Sequence, residues 1–399
     1  MKSMKRISAL LLSLVLLVSL CVPVSASDVP DMASANSPIS SEIQNQMLRI
    51  LASTESEKEN FGLSGLNFSA VHLGAEIPAY KVSGDSLIPA DIRLIPIIDG
   101  TSLISFFYVV NDASGSPVVQ LSNELIAPLQ NYVNGAPFSI IYDDDGAYVF
   151  VNDELHLLGL KEHSFYTDED VLQHESLFPT DASTPMASTN TTASLVSALD
   201  EHSFCEATTG SYVTTTNTLD VTSFLETLVA PASTGATSKY LAVEKISQPD
   251  ETKICWAIAI TSIANFIWDG SWTYSNIVQM FSGGADRPMS TEEVVYNFNY
   301  YFEADWWYSY TTTLAPNTIL NYLLANYPLY GDFTRSGGAH AVVIRGVSTA
   351  LNTFSVMNPT PSTTSYTSGT ISSNNTLTFV SGYSGSTYTL RAYIYPVLP

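Results

Sequence analysis

Residues 248–266 read QPDETKICWAIAITSIANF, and this stretch decides the fold. A polar segment passes at Cys255 into a run that is apolar on most sides, which predicts a buried helix over Ile254–Ile267. Cys255 would then stand at the start of that helix, where exposed backbone N–H groups and the helix dipole favour the thiolate. A lone cysteine on an apolar helix is usually a core residue, but this position favours a chemical role.

A base for that thiol is predicted further along the chain. From Tyr240 to the end there is one histidine, His340, which follows the turn sequence SGGA and opens the apolar strand AVVIRGV. Asn358 ends the next apolar strand, FSVMN. If these strands are neighbours, the amide oxygen of Asn358 can accept the N–H of His340. The sequence therefore predicts a constellation of Cys255, His340 and Asn358.

The order Gln248, Cys255-Trp256, His340-Ala341 and Asn358-Pro359 resembles the papain-like cysteine peptidases. Within them it is most similar to the compact bacterial branch of staphopain and the double-glycine, bacteriocin-processing peptidases. The resemblance covers well under half of the chain. It implies that Cys255 attacks the substrate carbonyl and that His340 acts as base and then as acid. It further implies that Asn358 orients His340 and that Gln248 helps to form the oxyanion hole.

Two departures from the family pattern are visible. The family places Cys-Gly-Ser-Cys-Trp around the nucleophile, whereas this chain reads ETKICW. The bacterial branch has an aromatic residue after the proline that follows the orienting residue, whereas Thr360 stands here. A ring that shields the bond between His340 and Asn358 would have to come from another part of the chain.

The first residues predict the compartment. Lys2, Lys5 and Arg6 precede an apolar run over Ile7–Leu20, and small residues follow at 24–26, which is typical of a secretory signal peptide over residues 1–26. No later stretch is apolar for long enough to span a bilayer. We expect a secreted, extracellular protein without stable membrane insertion, and attachment to the cell surface stays open.

Charge and cysteine content exclude other classes. The net charge of −23 divides into about −4 from Tyr240 onward and −19 before it, so nucleic acid is not an expected partner of either half. The cysteines are Cys21, Cys205 and Cys255, too few for an exported protein to be held by disulfides. Cys21 should leave with the signal peptide, and no chemistry is expected of Cys205.

Changes in amino-acid composition and pattern along the chain predict an α+β fold that is divided into several parts. Residues 27–175 are expected to form an acidic α+β pro-domain, and residues 176–238 a linker rich in Thr, Ser and Ala. Residues 239–399 are expected to form the papain-like domain, with a helical layer around the nucleophile helix packed on an antiparallel sheet. The pro-domain should contain a helix over 41–57 and hairpins at Asp99-Gly100 and at DDDG. Further helices are predicted over 274–281, 291–302 and 316–326.

Other conspicuous residues carry weaker signals. Four histidines lie in or near the segment of about 60–160 with no spacing that resembles a metal site: His72, His156, His163 and His174. The aromatic run ADWWYSY over 304–310 could line a substrate cleft, although a packed loop or core patch is the stronger interpretation.

The resulting hypothesis is a secreted cysteine endopeptidase made as a zymogen, with a Cys-His-Asn triad and no metal or organic cofactor. Its partners would be a protein or peptide substrate and its own pro-domain as an intramolecular inhibitor, and it would be a monomer. Two alternatives stay open. One is a cell-wall amidase or transglutaminase-like enzyme that also uses Cys and His. The other is a non-catalytic surface-binding protein.

Overall fold

The computed structural model describes residues 38–84, 86–112, 114–133, 135–143, 146–152, 154–160, 212, 215–228, 236–249, 252–335, 338–360 and 366–398. The predicted signal peptide, with Cys21, lies outside these residues, and so do Cys205, His163 and His174. In the described part, seven α-helices and eighteen strands form an α+β structure, which is the predicted class.

The helices are α1 Ser41–Thr54, α2 Ile126–Leu129, α3 Val221–Thr227, α4 Cys255–Trp268, α5 Tyr274–Ser282, α6 Thr291–Phe302 and α7 Pro316–Leu324. The strands before α3 are β1 Val71–Leu73, β2 Ala79–Ser83, β3 Ser86–Pro89, β4 Arg93–Asp99, β5 Ser102–Asn111, β6 Pro117–Ser122, β7 Phe138–Tyr142, β8 Gly146–Val151, β9 Glu154–Leu160 and β10 Asn217–Leu219. Those after it are β11 Ser238–Tyr240, β12 Trp306–Tyr310, β13 Leu329–Arg335, β14 Gly338–Ser348, β15 Thr353–Met357, β16 Thr367–Thr370, β17 Thr378–Val380 and β18 Thr387–Pro396.

The predicted N-terminal helix is confirmed as α1, which a 3₁₀ turn extends over Glu55–Glu57. Ser40 caps it, because its hydroxyl accepts the N–H of Ile43 at 3.3 Å. The apolar residues that predicted the helix are all buried, namely Ile43, Met47, Ile50 and Leu51. Periodicity and cap together therefore explain why this segment is helical and which face it buries.

Both predicted hairpins are confirmed. β4 and β5 pair antiparallel with Asp99 opposite Ser102, so the turn is at Gly100 and Thr101, one residue later than predicted. Gly100 has a φ of +60°, a conformation that glycine adopts without steric cost. β7 and β8 likewise pair antiparallel. These hairpins belong to different sheets, because β7 and β8 lie in a five-stranded sheet of order β3-β2-β7-β8-β9.

The helices predicted after residue 250 are confirmed within two residues at each end. α5 and α6 each begin with a capping box, formed by Thr273 with Asn276 and by Ser290 with Glu293. α7 begins with Pro316 in its first turn, where a missing N–H costs nothing. α4 and α7 lie against β14, so helices pack on an antiparallel sheet as predicted.

The larger sheet runs through both halves of the chain. Its thirteen described strands follow the order β10-β1-β4-β5-β6-β16-β15-β14-β13-β18-β12, with β11 also paired to β14 and β17 to β18. The two halves join where β6 pairs with β16 through Leu121 opposite Ser368 and Gln120 opposite Gly369. The domain boundaries at 175 and 239 stay a prediction about the precursor. In the folded chain, residues 38–399 form one compact unit.

A buried ion pair also links the halves. Arg345 on β14 is fully buried, and its Nη2 donates to Oε2 of Glu57 in the 3₁₀ turn after α1. The same guanidinium donates to the carbonyl of Leu241 and lies 3.8 Å from the ring centroid of Tyr366. A buried charge is tolerated only when it is paired and hydrogen-bonded, so Arg345 requires the N-terminal half.

Part of the predicted linker has regular structure. Residues 217–219 form β10, which pairs with β1, and α3 follows with Asp220 as its cap, accepting the N–H of Ser223 at 2.9 Å. Leu219 and Val221 are buried, so their apolar side chains hold this segment on the N-terminal half. The rest of the linker lies mostly outside the described residues.

Residues 306–310 of the aromatic run form β12, the last strand of the larger sheet. Trp306 is buried in the core, whereas Trp307 is 58% exposed, so the core-patch interpretation holds for only part of the run. Among the described residues, no helix combines the length and the hydropathy needed to cross a membrane.

We expect Glu57→Ala to lower the free energy of unfolding by about 3 kcal/mol, because it leaves the guanidinium of Arg345 buried without its counter-ion. Chemical denaturation of the full-length protein measures this. Glu59→Ala is the matched control, since Glu59 is exposed two residues away, and it should change stability by less than about 0.5 kcal/mol. Equal stability of the two variants would contradict the role of the pair.

Candidate active site

Cys255 occupies the first position of α4, as predicted, and only 4% of its surface is exposed. The preceding residue is Ile254, whose side chain cannot cap the N–H groups of the first turn. The positive end of the helix dipole therefore lies beside the sulfur, which favours the thiolate over the thiol.

Trp256 fixes the surroundings of the thiol. Its Nε1 donates to the carbonyl of Arg287 at 2.9 Å, and its ring stacks on Phe281 with centroids 5.9 Å apart. The N–H of Lys253 donates to Oδ1 of Asp286 at 2.6 Å. The loop between α5 and α6 is thus held against the start of α4, where it forms one wall of the site.

His340 and Asn358 are hydrogen-bonded. His340 lies on β14, Asn358 directly follows β15, and these neighbouring strands bring His340 Nε2 within 2.7 Å of Asn358 Oδ1. The predicted proximity of the two residues is confirmed. Because Nε2 is engaged with Asn358, Nδ1 is the ring nitrogen that can exchange a proton with the thiol.

Two aromatic rings lie beside the ring of His340. Phe379 on β17 and Tyr388 on β18 each have ring centroids 5.9 Å from that of His340, and they stack on each other at 5.0 Å. This chain has Thr360 where the bacterial branch has an aromatic residue, so Phe379 and Tyr388 supply the aromatic contact with His340 instead. The Thr- and Tyr-rich tail of the sequence contained no signal for them, because only strand pairing brings the tail to His340.

A carboxylate from the N-terminal half completes the polar contacts. Asn358 Nδ2 donates to Oε1 of Glu124 at 2.6 Å, and Oε2 of Glu124 accepts the N–H of Gly382. Glu124 is only 7% exposed. The sequence analysis missed this residue, and no motif marks it, because 234 residues separate Glu124 from Asn358.

Cys255 and His340 line the same pocket, which has a volume of about 10 Å³ and so has room for about one water molecule. Its described lining comes entirely from residues after 250. These are Cys255, Trp256, Pro288, Met289, Tyr330, Asp332, Ala339, His340 and Ala341. Asp332 accepts hydrogen bonds from Thr291 Oγ1 and Arg391 Nη2, so its negative charge is neutralised at the pocket wall.

Gln248 is close in sequence to Cys255, but it is not among the described residues that line this pocket. It is buried, and its Nε2 donates to the carbonyl of Thr252 at 2.6 Å. An amide nitrogen has a second N–H group. The oxyanion role of Gln248 stays a prediction.

Comparison with known proteins defines the class. Residues 238–376, about a third of the chain, match the family model described as papain-like cysteine protease AvrRpt2. This segment is that of a papain-like cysteine peptidase, an enzyme class that hydrolyses peptide bonds, and the predicted resemblance is confirmed at that level. Membership of the staphopain branch stays a prediction. None of the curated proteins matches the sequence.

We expect His340→Ala to lower kcat/KM for a peptide substrate by about 10³-fold, because it removes the general base. Asn358→Ala should cost less, about 10- to 100-fold, because it misorients the base without removing it. Steady-state kinetics on variants whose circular dichroism matches the parent measure this ranking. His72→Ala is the control, since His72 contacts Thr218 on the first strands of the sheet. Equal losses for the two site variants would contradict the ranking.

Proposed function

We propose that this protein is a cysteine endopeptidase in which Cys255 is the nucleophile, His340 the base and Asn358 the residue that orients it. The hydrogen bond between His340 and Asn358, beside a cysteine at a helix start, is the observation that carries the proposal. The shared pocket supports it, because a base and a nucleophile must reach the same substrate atom.

The reaction proceeds in two steps. The thiolate of Cys255 attacks the peptide carbonyl, the C–N bond breaks, and His340 gives its proton to the leaving amine. His340 then takes a proton from water, which attacks the thioester and releases the acid and the thiolate. Backbone N–H groups at the start of α4, together with the side chain of Gln248, stabilise the oxyanion.

The protein is exported as a precursor. This part of the proposal rests on the leader over residues 1–26 and on the burial of Cys255, of which only 4% is exposed in this form. Cleavage between 176 and 238 converts a closed form, held by the N-terminal half, into the active monomeric enzyme. A peptidase that is latent until export does not damage the cell that makes it.

We expect Cys255→Ala to abolish peptide hydrolysis and labelling by iodoacetamide, because it removes the thiolate. Cys205→Ala is the control and should preserve both. Peptide-library digestion and mass spectrometry of the labelled protein measure the two effects. Loss of activity in the Cys205 variant would contradict the assignment. If Cys255 is labelled but the protein cleaves peptidoglycan fragments instead of peptides, the result favours a cell-wall amidase. If Cys255 is not labelled, the result favours a binding protein.

We expect the full-length protein to hydrolyse a small fluorogenic peptide more slowly than the form cleaved between 176 and 238. N-terminal sequencing identifies the cleavage site, and the two forms are compared at equal concentrations of titrated thiol. A full-length protein that is as active as the cleaved one would show that the N-terminal half does not inhibit.

A further inference from the structure

Glu124 reaches the candidate active site from the opposite half of the chain. We propose that Glu124 is a positioning residue for Asn358 and, through it, for His340; this rests on the triad proposed above. The N-terminal half would then supply part of the active site, whether or not the chain is cleaved.

The geometry determines the orientation of the Asn358 amide. An asparagine side chain can turn over and exchange its oxygen and nitrogen, which would point N–H groups at His340. A carboxylate accepts hydrogen bonds and donates none, so Glu124 accepts only the Nδ2 side, at 2.6 Å. Asn358 Oδ1 is therefore directed at His340 Nε2, where it lies at 2.7 Å. The ring of His340 is held by that oxygen.

Both the carboxylate and the backbone carbonyl of Glu124 are hydrogen-bonded. Its second carboxylate oxygen accepts the N–H of Gly382, and its backbone carbonyl accepts the hydroxyl of Tyr383 at 2.9 Å. β6 leads into it, and the side chain of Gln120 on that strand bonds both the carbonyl and the N–H of Val380, at 2.6 and 2.7 Å. The carboxylate is thus built into the junction between the halves and is not a mobile surface group.

The charge of Glu124 also acts on the imidazolium of His340. A buried carboxylate that is linked to the imidazole through Asn358 stabilises the protonated form of the ring relative to the neutral form. The other titratable or charged groups on the elements around His340 are Cys255 on α4, Tyr330, Asp332 and Arg335 on β13, and Tyr388 and Arg391 on β18. Around Glu124, burial and then its charge raise the pKa of Tyr108 and of Tyr142, which keeps both phenols neutral.

A charge-exchange cycle, assayed on the full-length protein and on the same protein after cleavage between 176 and 238, tests the proposal. In E124Q, the new amide directs an N–H either at Asn358 Nδ2 or at the N–H of Gly382, so one donor faces another unless the Asn358 amide turns over and points its N–H groups at His340. In N358D, two carboxylates face each other. In the E124Q/N358D double variant every contact is restored, because the new amide donates to the new carboxylate and accepts from Gly382.

We expect each single variant to lower kcat/KM by about 10- to 100-fold. The double variant should recover to within about 10-fold of the parent, because the two sites are coupled. In E124Q the alkaline limb of the profile of kcat/KM against pH should move down by about one unit, since the imidazolium loses a stabilising negative charge. In the double variant it should return, because a carboxylate again lies beside the ring. Glu76→Gln, which neutralises the partner of Arg93 in the same half, is the control and should change none of these quantities.

Thermal unfolding of all variants separates positioning from folding. A lower Tm for E124Q with unchanged kcat/KM and pH profile would overturn the inference, and so would single losses that multiply in the double variant. If E124Q does not fold, kcat/KM of N358D is compared with that of the double variant. A double variant that is no more active than N358D then overturns the proposal. A parent protein that cleaves no peptide and is not labelled at Cys255, either at full length or after cleavage between 176 and 238, overturns the proposed function instead. An active parent with an unaffected E124Q overturns only the role of Glu124.

Discussion

The buried guanidinium of Arg345 is the constraint on which the arrangement of the two halves depends. Its charge lies in the interior, and its hydrogen-bond partners come from the turn after α1, from Leu241 and from Ser355 on β15. Separating the halves would leave this charge without Glu57, which costs several kcal/mol. The pairing of β6 with β16 adds backbone contacts but covers only two residue pairs. The ion pair and the shared core therefore contribute most to the junction.

The candidate active site is assembled from elements that are distant in the chain. A helix start carries Cys255, one strand carries His340, and the end of the next strand carries Asn358. The loop after β6 adds Glu124. Helix packing, strand register or core burial fixes the position of each of these elements. The rigidity of the site follows from that, because no polar side chain relies on a single loop for its position.

The same packing limits access to the thiol. The loop that contains Pro288 and Met289 is bound to α4 through Trp256, and the remaining space beside Cys255 is about that of one water molecule. A peptide must therefore meet Cys255 at the mouth of this pocket or after movement of a wall.

The sequence by itself determined the local elements and the proximity of His340 to Asn358. Hydrophobic periodicity and caps predicted α1 and the helices after residue 250, turn residues predicted the hairpins, and the order of two apolar strands predicted that His340 and Asn358 lie close together, because these signals are local or follow strand order. Only the tertiary structure decided the rest. Strand pairings between distant segments bring Glu124, Phe379 and Tyr388 to His340 and Asn358. The ion pair of Arg345 with Glu57 joins residues that are 288 positions apart in the chain. Such contacts leave no periodic trace in the chain, because each depends on the register of a sheet that no single segment specifies.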